Sequence, residues 1–118
     1  MLGNINNAKR IYIACGHTDL RKSIDGLVAI VERTFHINPC DRNLFLFCGR
    51  RKDRIKALYW ESDGFVLLYK RLEEGKYHWP AHTEEAKLIT RQQLRWLMEG
   101  LSVEQKGVIR PIKDIQFT

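Results

Sequence analysis

Three short apolar runs with turn signals between them occupy the middle of the chain and commit it to a β-sheet. Leu44–Cys48 (LFLFC), Arg54–Trp60 (RIKALYW) and Phe65–Arg71 (FVLLYKR) are rich in aromatic and branched side chains, the types that suit a pleated, half-buried surface. Gly49–Asp53 (GRRKD) and Ser62-Asp63-Gly64 separate them. Asp-Gly is a strong hairpin signal, because both residues tolerate a left-handed backbone. The natural product is an antiparallel β-meander. A two-residue Asp63-Gly64 turn would set Lys56 across from Arg71 and Leu58 across from Tyr69. After a further turn at Glu74-Gly75, Lys76–Trp79 is expected as a short fourth strand ended by Pro80.

The flanks supply helices. Arg10–Cys15 (RIYIAC) reads as a strand that Gly16 and His17 break. Thr18 or Asp19 then offers a side-chain oxygen to cap a helix. Leu20, Ile24, Leu27, Val28, Val31 and Phe35 recur at three- and four-residue steps, the apolar face of a helix ending near Phe35. Gly26 inside it costs about 1 kcal/mol against Ala, which a close-packed neighbour would offset. His36–Asn43 is a loop around Pro39, and Ala81–Ala86 is a polar loop. Thr90 and Gln93 form a T-x-x-Q capping box, followed by the apolar face Leu94, Leu97, Met98 and Leu101. Gly100 is the stop, with Leu101 folding back on it. The expected fold is α+β: an antiparallel meander sheet with two helices, near 19–35 and 91–99, packed on one face. One domain spans 1–118, with its ordered core at about 10–101.

Charge is the first functional clue. The 118 residues carry 20 Lys and Arg against 14 Asp and Glu, a net +6, with a pI near 9.4. That balance fits a partner bearing phosphates, and equally a surface that only keeps the chain in solution. Cys15, Cys40 and Cys48 have no framework spacing, which suggests a reducing compartment. The opening MLGNINNAKR lacks the apolar segment of a signal peptide, and no apolar run approaches the ~20 residues of a membrane span. A cytoplasmic location is the expectation, with no membrane partner.

Catalytic chemistry finds little support. Cys15 and His17 stand two apart, with Cys40 and Cys48 distant. His78 and His82 bracket Pro80 and share no helical face. None of this has zinc-ligand spacing, so no metal and no cofactor are expected. Cys15 and Cys48 lie in apolar runs, where a thiol packs and does not react. Asp41, Asp53, Asp63 and Glu74 sit at turns, and Asp commonly bonds its own backbone there. A nuclease needs carboxylates converging on metal ions from a rigid sheet. No catalytic residue is assigned.

The strongest local feature is the basic hairpin. Arg50, Arg51, Lys52, Arg54 and Lys56 face only Asp53, so five positive charges against one leave +4 within residues 50–56. Lys70, Arg71 and Lys76 follow on the next strand and turn. Tyr59, Trp60, Tyr69, Tyr77 and Trp79 interleave with them. Cations among aromatics suit a nucleic-acid surface and also an ordinary half-buried sheet. Arg50, Arg51, Lys52, Arg54, Lys56, Lys70, Arg71 and Lys76 are the candidate phosphate-binding set, with a merely solvated turn as the other reading.

Taken together, Thr18–Leu27 (TDLRKSIDGL), the RRKDRIK turn, the YW-x-x-DGF hairpin, the YKRLE-x-G run, the WP at Trp79-Pro80 and the helix TRQQLRWLMEGL resemble a known family. It is the TnpB accessory family of insertion-sequence-66 elements, also called second-open-reading-frame-like. It is distinct from the RNA-guided nucleases that share the name. The resemblance covers about residues 10–101. It implies a protein encoded beside a larger transposase that carries the catalysis, and required for efficient transposition. It supplies no catalytic or cofactor residue. Asp19, Arg21, Lys22, Asp25, Asp53, Trp60, Gly64, Trp79 and Pro80 are motif positions without an assigned role, beside the basic positions of the hairpin. Two functions follow as expectations. One is a DNA-binding accessory acting through the hairpin. The other is an assembly module that binds the transposase, or another protein of the element, through aromatics such as Trp60, Trp79 and Trp96.

Overall fold

The structure is a computed structural model that describes residues 7–81, 85–107 and 109. Five strands form one sheet: β1 (Arg10–Ala14), β2 (Asn43–Cys48), β3 (Arg54–Trp60), β4 (Phe65–Arg71) and β5 (Ala86–Ile89), in the order β4-β3-β2-β1-β5. Helix α1 (Ile24–Ala29) runs into a π-helical turn, Ile30–Thr34, and α2 (Arg91–Met98) follows β5. The expected meander is present as β2-β3-β4, all antiparallel.

The sheet as a whole is mixed, which corrects the expectation of a purely antiparallel one. β1 pairs with β2 in parallel, Ile11 beside Leu44 and Ile13 beside Leu46. A parallel pair needs a crossover connection, and α1 with its π-helical turn is that crossover. β5 pairs antiparallel with β1, Ile11 beside Ile89 and Ala14 beside Ala86, so part of the expected loop 81–86 and the residues after it form a strand. The rest of that loop, residues 82–84, lies outside the described residues, as does the tail from residue 110.

The helices lie on opposite faces, not on one. Strand alternation sends Ile11, Ile13, Leu44, Leu46, Cys48, Ile55, Ala57 and Tyr59 into one buried cluster, where Leu97 packs with Leu94 and Met98 of α2. Ala14, Phe45, Phe47 and Leu58 point the other way and pack with Leu27, Val31, Ile24 and Val28 from α1 and its π-helical turn. Central strand β2 is buried along its whole length. A strand covered on both faces reads as a continuous apolar run, and LFLFC is one.

Register and boundaries also differ from expectation. Lys56 lies across from Tyr69, Leu58 across from Leu67, and Arg54 across from Arg71. The Asp63-Gly64 turn is not a two-residue turn. Trp60 pairs with Phe65, the loop spans 61–64, Glu61 N–H donates to the Gly64 carbonyl at 2.8 Å, and Ser62 takes the left-handed conformation at φ 69°. The first helix starts at Ile24 and not at 19, because Asp19 is occupied by its own turn. Its carboxylate accepts from Arg21 N–H at 3.0 Å, and Ser23 stands at the N-cap without a side-chain bond. Gly26 is closely approached as expected: a Cβ there would lie 3.0 Å from Lys22 Cβ.

Residues 76–79 do not join the sheet. Their backbone bonds go to loops, with Tyr77 N–H donating to the Lys52 carbonyl at 2.7 Å and Gly16 N–H to the Pro80 carbonyl at 2.8 Å. The segment is a strap that buries Tyr77 and Trp79 in the α2-side cluster. Helix α2 carries the expected capping box, Thr90 with Gln93. Gly100, at φ 86°, closes it with Leu101 N–H donating to the Trp96 carbonyl at 2.8 Å. The Leu101 side chain itself stays exposed.

Candidate nucleic-acid interface

The turn between β2 and β3 is held from several sides. Gly49 N–H donates to the Arg54 carbonyl at 3.1 Å, and Lys52 N–H to the Gly49 carbonyl at 3.0 Å, with Lys52 left-handed at φ 61°. Leu72 N–H donates to the Asp53 carbonyl at 2.6 Å, and Tyr77 of the strap bonds Lys52. On the other side Thr18 N–H donates to the Cys48 carbonyl at 2.8 Å, bringing the 16–22 loop alongside. Gly49 permits that approach: a Cβ there would stand 3.3 Å from Leu20 Cδ1. Arg50 and Arg51 are left exposed at the tip.

Loop and turn enclose an open cleft of about 830 Å³ lined by His17, Asp19, Arg21, Arg50, Arg51, Arg54 and Lys56, with Leu20, Leu67 and Tyr69 among its apolar walls. Five cations against one carboxylate make the lining +4. Arg21 grips Asp19 through Nε at 3.0 Å and Nη2 at 2.8 Å. The Arg21 guanidinium, helped by the Arg21 backbone N–H, holds the Asp19 carboxyl well below the usual carboxylate range. Arg54 donates to Asp53 at 3.1 Å, which likewise depresses that carboxyl. Arg50 Nη2 reaches His17 Nε2 at 3.5 Å. Arg50 and Arg51 form no ion pair among the described residues. Lys56 Nζ donates to the Lys22 carbonyl at 2.9 Å and stands 5.8 Å from the Tyr69 ring centroid.

The expected cationic set therefore divides. Arg50, Arg51, Arg54 and Lys56 share the cleft. Lys52 instead lines a second cleft, with Lys76, His78 and Lys87. Lys70 pairs in register with Ile55, so strand alternation puts it on the face opposite Lys56. Arg71 stands across from Arg54 but is ion-paired to Glu73 at 3.1 Å. Tyr69 is one of the aromatics interleaved with the cations in the sequence, whereas nothing in the sequence placed His17 here and Arg21 was only a motif position without a role. The TDLRKS stretch was the available signal, but its place beside the hairpin depends on the parallel β1–β2 pair. Among the motif positions, Trp79 donates its indole N–H to the Ala14 carbonyl at 2.8 Å, and Trp60 packs edge-on against Phe65. Gly64 has nothing within 4 Å of where a Cβ would stand.

The cations lining the cleft, of which Arg50 and Arg51 have no acidic partner among the described residues, can bind anions. The buried thiols are poor nucleophiles: desolvation pushes Cys15 up, and Cys48 up to about 12. Among the described residues, no three His, Cys, Asp or Glu side chains converge to hold a metal ion. None of the described helices is long and apolar enough to cross a membrane.

A mixed sheet between two helices, with a cationic cleft at one end of β2 and β3, defines a small basic α+β protein. Residues 9–107 match the family described as IS66 Orf2 like protein, and the chain belongs to that family. It is 37% identical over 92 residues to "Uncharacterized protein y4hO" of Sinorhizobium fredii (strain NBRC 101917 / NGR234), covering 78% of this chain and 80% of that protein. It is 34% identical over 107 residues to "Uncharacterized protein y4jC" of the same organism, covering 88% and 92%. No solved structure matches the chain. Family membership ties the chain to the transposition machinery of an insertion sequence.

Proposed function

We propose that this chain is a non-catalytic accessory protein of transposition that docks on DNA phosphates through the cleft between the 16–22 loop and the β2–β3 turn. The observation that carries the reading is the convergence of Arg50, Arg51, Arg54 and Lys56 with Arg21 on one concave surface, where Arg50 and Arg51 lack an acidic partner among the described residues. Cations held together at a mutual electrostatic cost are relieved by a polyanion, and counterions released from DNA drive the association. Such contacts position a protein without reading sequence. Binding by the chain alone is then weak and general, and specificity comes from the transposase acting beside it.

Assembly onto the transposase, or onto another protein of the element, is the second reading. Exposed Leu88 on edge strand β5 favours it, since edge strands offer unpaired backbone to a partner. Trp79 does not, being buried. A salt titration of duplex binding, with and without the transposase, separates the two. Steep loss of affinity with salt for the chain alone supports DNA docking. Transposase binding with no affinity for DNA supports assembly.

A further inference from the structure

The cleft contains an aromatic side chain that phosphate binding does not require. Tyr69 is 54% exposed, yet it sits in the cleft wall beside Leu67, Arg54 and Lys56. Lys56 holds one position against the ring, because its ammonium is also fixed by the Lys22 carbonyl. Leu20 and Leu67 add apolar wall. A cleft of about 830 Å³ has the dimensions of a small-ligand site. A duplex is far wider, its major groove alone measuring about 12 Å, so it meets such a cleft only with its outer phosphates. An unpaired strand can enter, and every base offers a flat face for stacking on an aromatic ring.

Resting on the reading of the cleft as a DNA surface, we propose that Tyr69 is a stacking platform for an unpaired base. The cleft therefore takes single-stranded DNA, as at opened or frayed strand ends, in preference to intact duplex. Arg50 and Arg51 follow the backbone of that strand, while Tyr69 and Leu67 receive the base. The preference is tolerant of sequence, because stacking does not depend on base-edge hydrogen bonds.

The test is fluorescence anisotropy of the full chain with a labelled single-stranded oligonucleotide and with the duplex of the same sequence, at low salt. The wild type binds the single strand more tightly. Tyr69→Thr, which keeps a strand-forming residue and loses the ring, weakens single-strand binding about tenfold and duplex binding by a clearly smaller factor, so that the preference for the single strand is lost. Tyr69→Phe restores single-strand binding. Equal affinity for the two forms, or single-strand affinity unmoved by Tyr69→Thr, overturns the inference. In that case phosphate docking still stands if Arg50→Ala with Arg51→Ala weakens binding to both forms. Absence of salt-dependent binding to either form overturns both.

Discussion

The indole N–H of Trp79 donates to the carbonyl of Ala14 across 2.8 Å, in the buried core and 65 residues apart in sequence. This bond fastens the strap to the end of β1, next to the loop that forms one wall of the cleft. Trp79→Phe removes a buried hydrogen bond and thins the packing around it. A loss of about 1–3 kcal/mol is expected in urea unfolding. An unchanged unfolding midpoint would show that the bond contributes nothing.

The Asp19–Arg21 pair sets a pH expectation. The folded-state pKa of Asp19 is depressed, so the contribution of the pair is complete above the ordinary carboxylate range and fades as pH falls through the folded value. The Asp19 carboxyl carbon, followed by NMR, should not titrate between about pH 5 and pH 3, and Arg21→Ala, which keeps the backbone N–H bond, should raise its midpoint toward the ordinary value of about 4. A midpoint near the ordinary value in the intact protein would contradict this. Asp19→Ala also removes the cleft's one carboxylate and frees Arg21. It should raise DNA affinity and steepen the log–log salt slope by about one.

Cysteine reactivity follows burial. Cys40 is exposed while Cys15 and Cys48 are buried, with Cys48 pushed up to about 12 by desolvation. Under native conditions near neutral pH, iodoacetamide should label Cys40 alone, and all three thiols after unfolding. Because burial penalises the Cys15 and Cys48 thiolates, stability should fall as pH rises above the ordinary thiol value. Rapid native labelling of Cys48 would contradict its placement in the sheet.

Much of the centre was legible in sequence, because β2, β3 and β4 are joined by short turns and paired with their chain neighbours. Helix α2 was legible from Thr90 and Gln93, a purely local signal. The parallel β1–β2 pair was not, since it joins Ile11 to Leu44 across the whole of α1. The continuous apolar run LFLFC was the clue, as it implied cover on both faces. Register slipped because Ser62, not the Asp63-Gly64 pair, supplies the left-handed turn residue. The four hairpin cations of the cleft, Arg50, Arg51, Arg54 and Lys56, were named from sequence. Its opposite wall, His17 to Arg21, depends on Thr18 bonding Cys48, which only the folded sheet brings together. Lys70, grouped with them in the sequence, stands on the other face of the sheet through strand alternation.

The central claim is that the cleft cations bind DNA phosphate, and the salt dependence of duplex binding tests it most directly. Each phosphate contact contributes about −0.9 to the slope of log affinity against log salt. Arg50→Ala with Arg51→Ala should therefore reduce the steepness of the slope by about two and lower affinity equally across sequences. Folding should be retained, since exposed turn residues usually contribute within about 0.5 kcal/mol each. The account predicts a negative wild-type slope that the double variant flattens. An identical slope and affinity in the two proteins would contradict it.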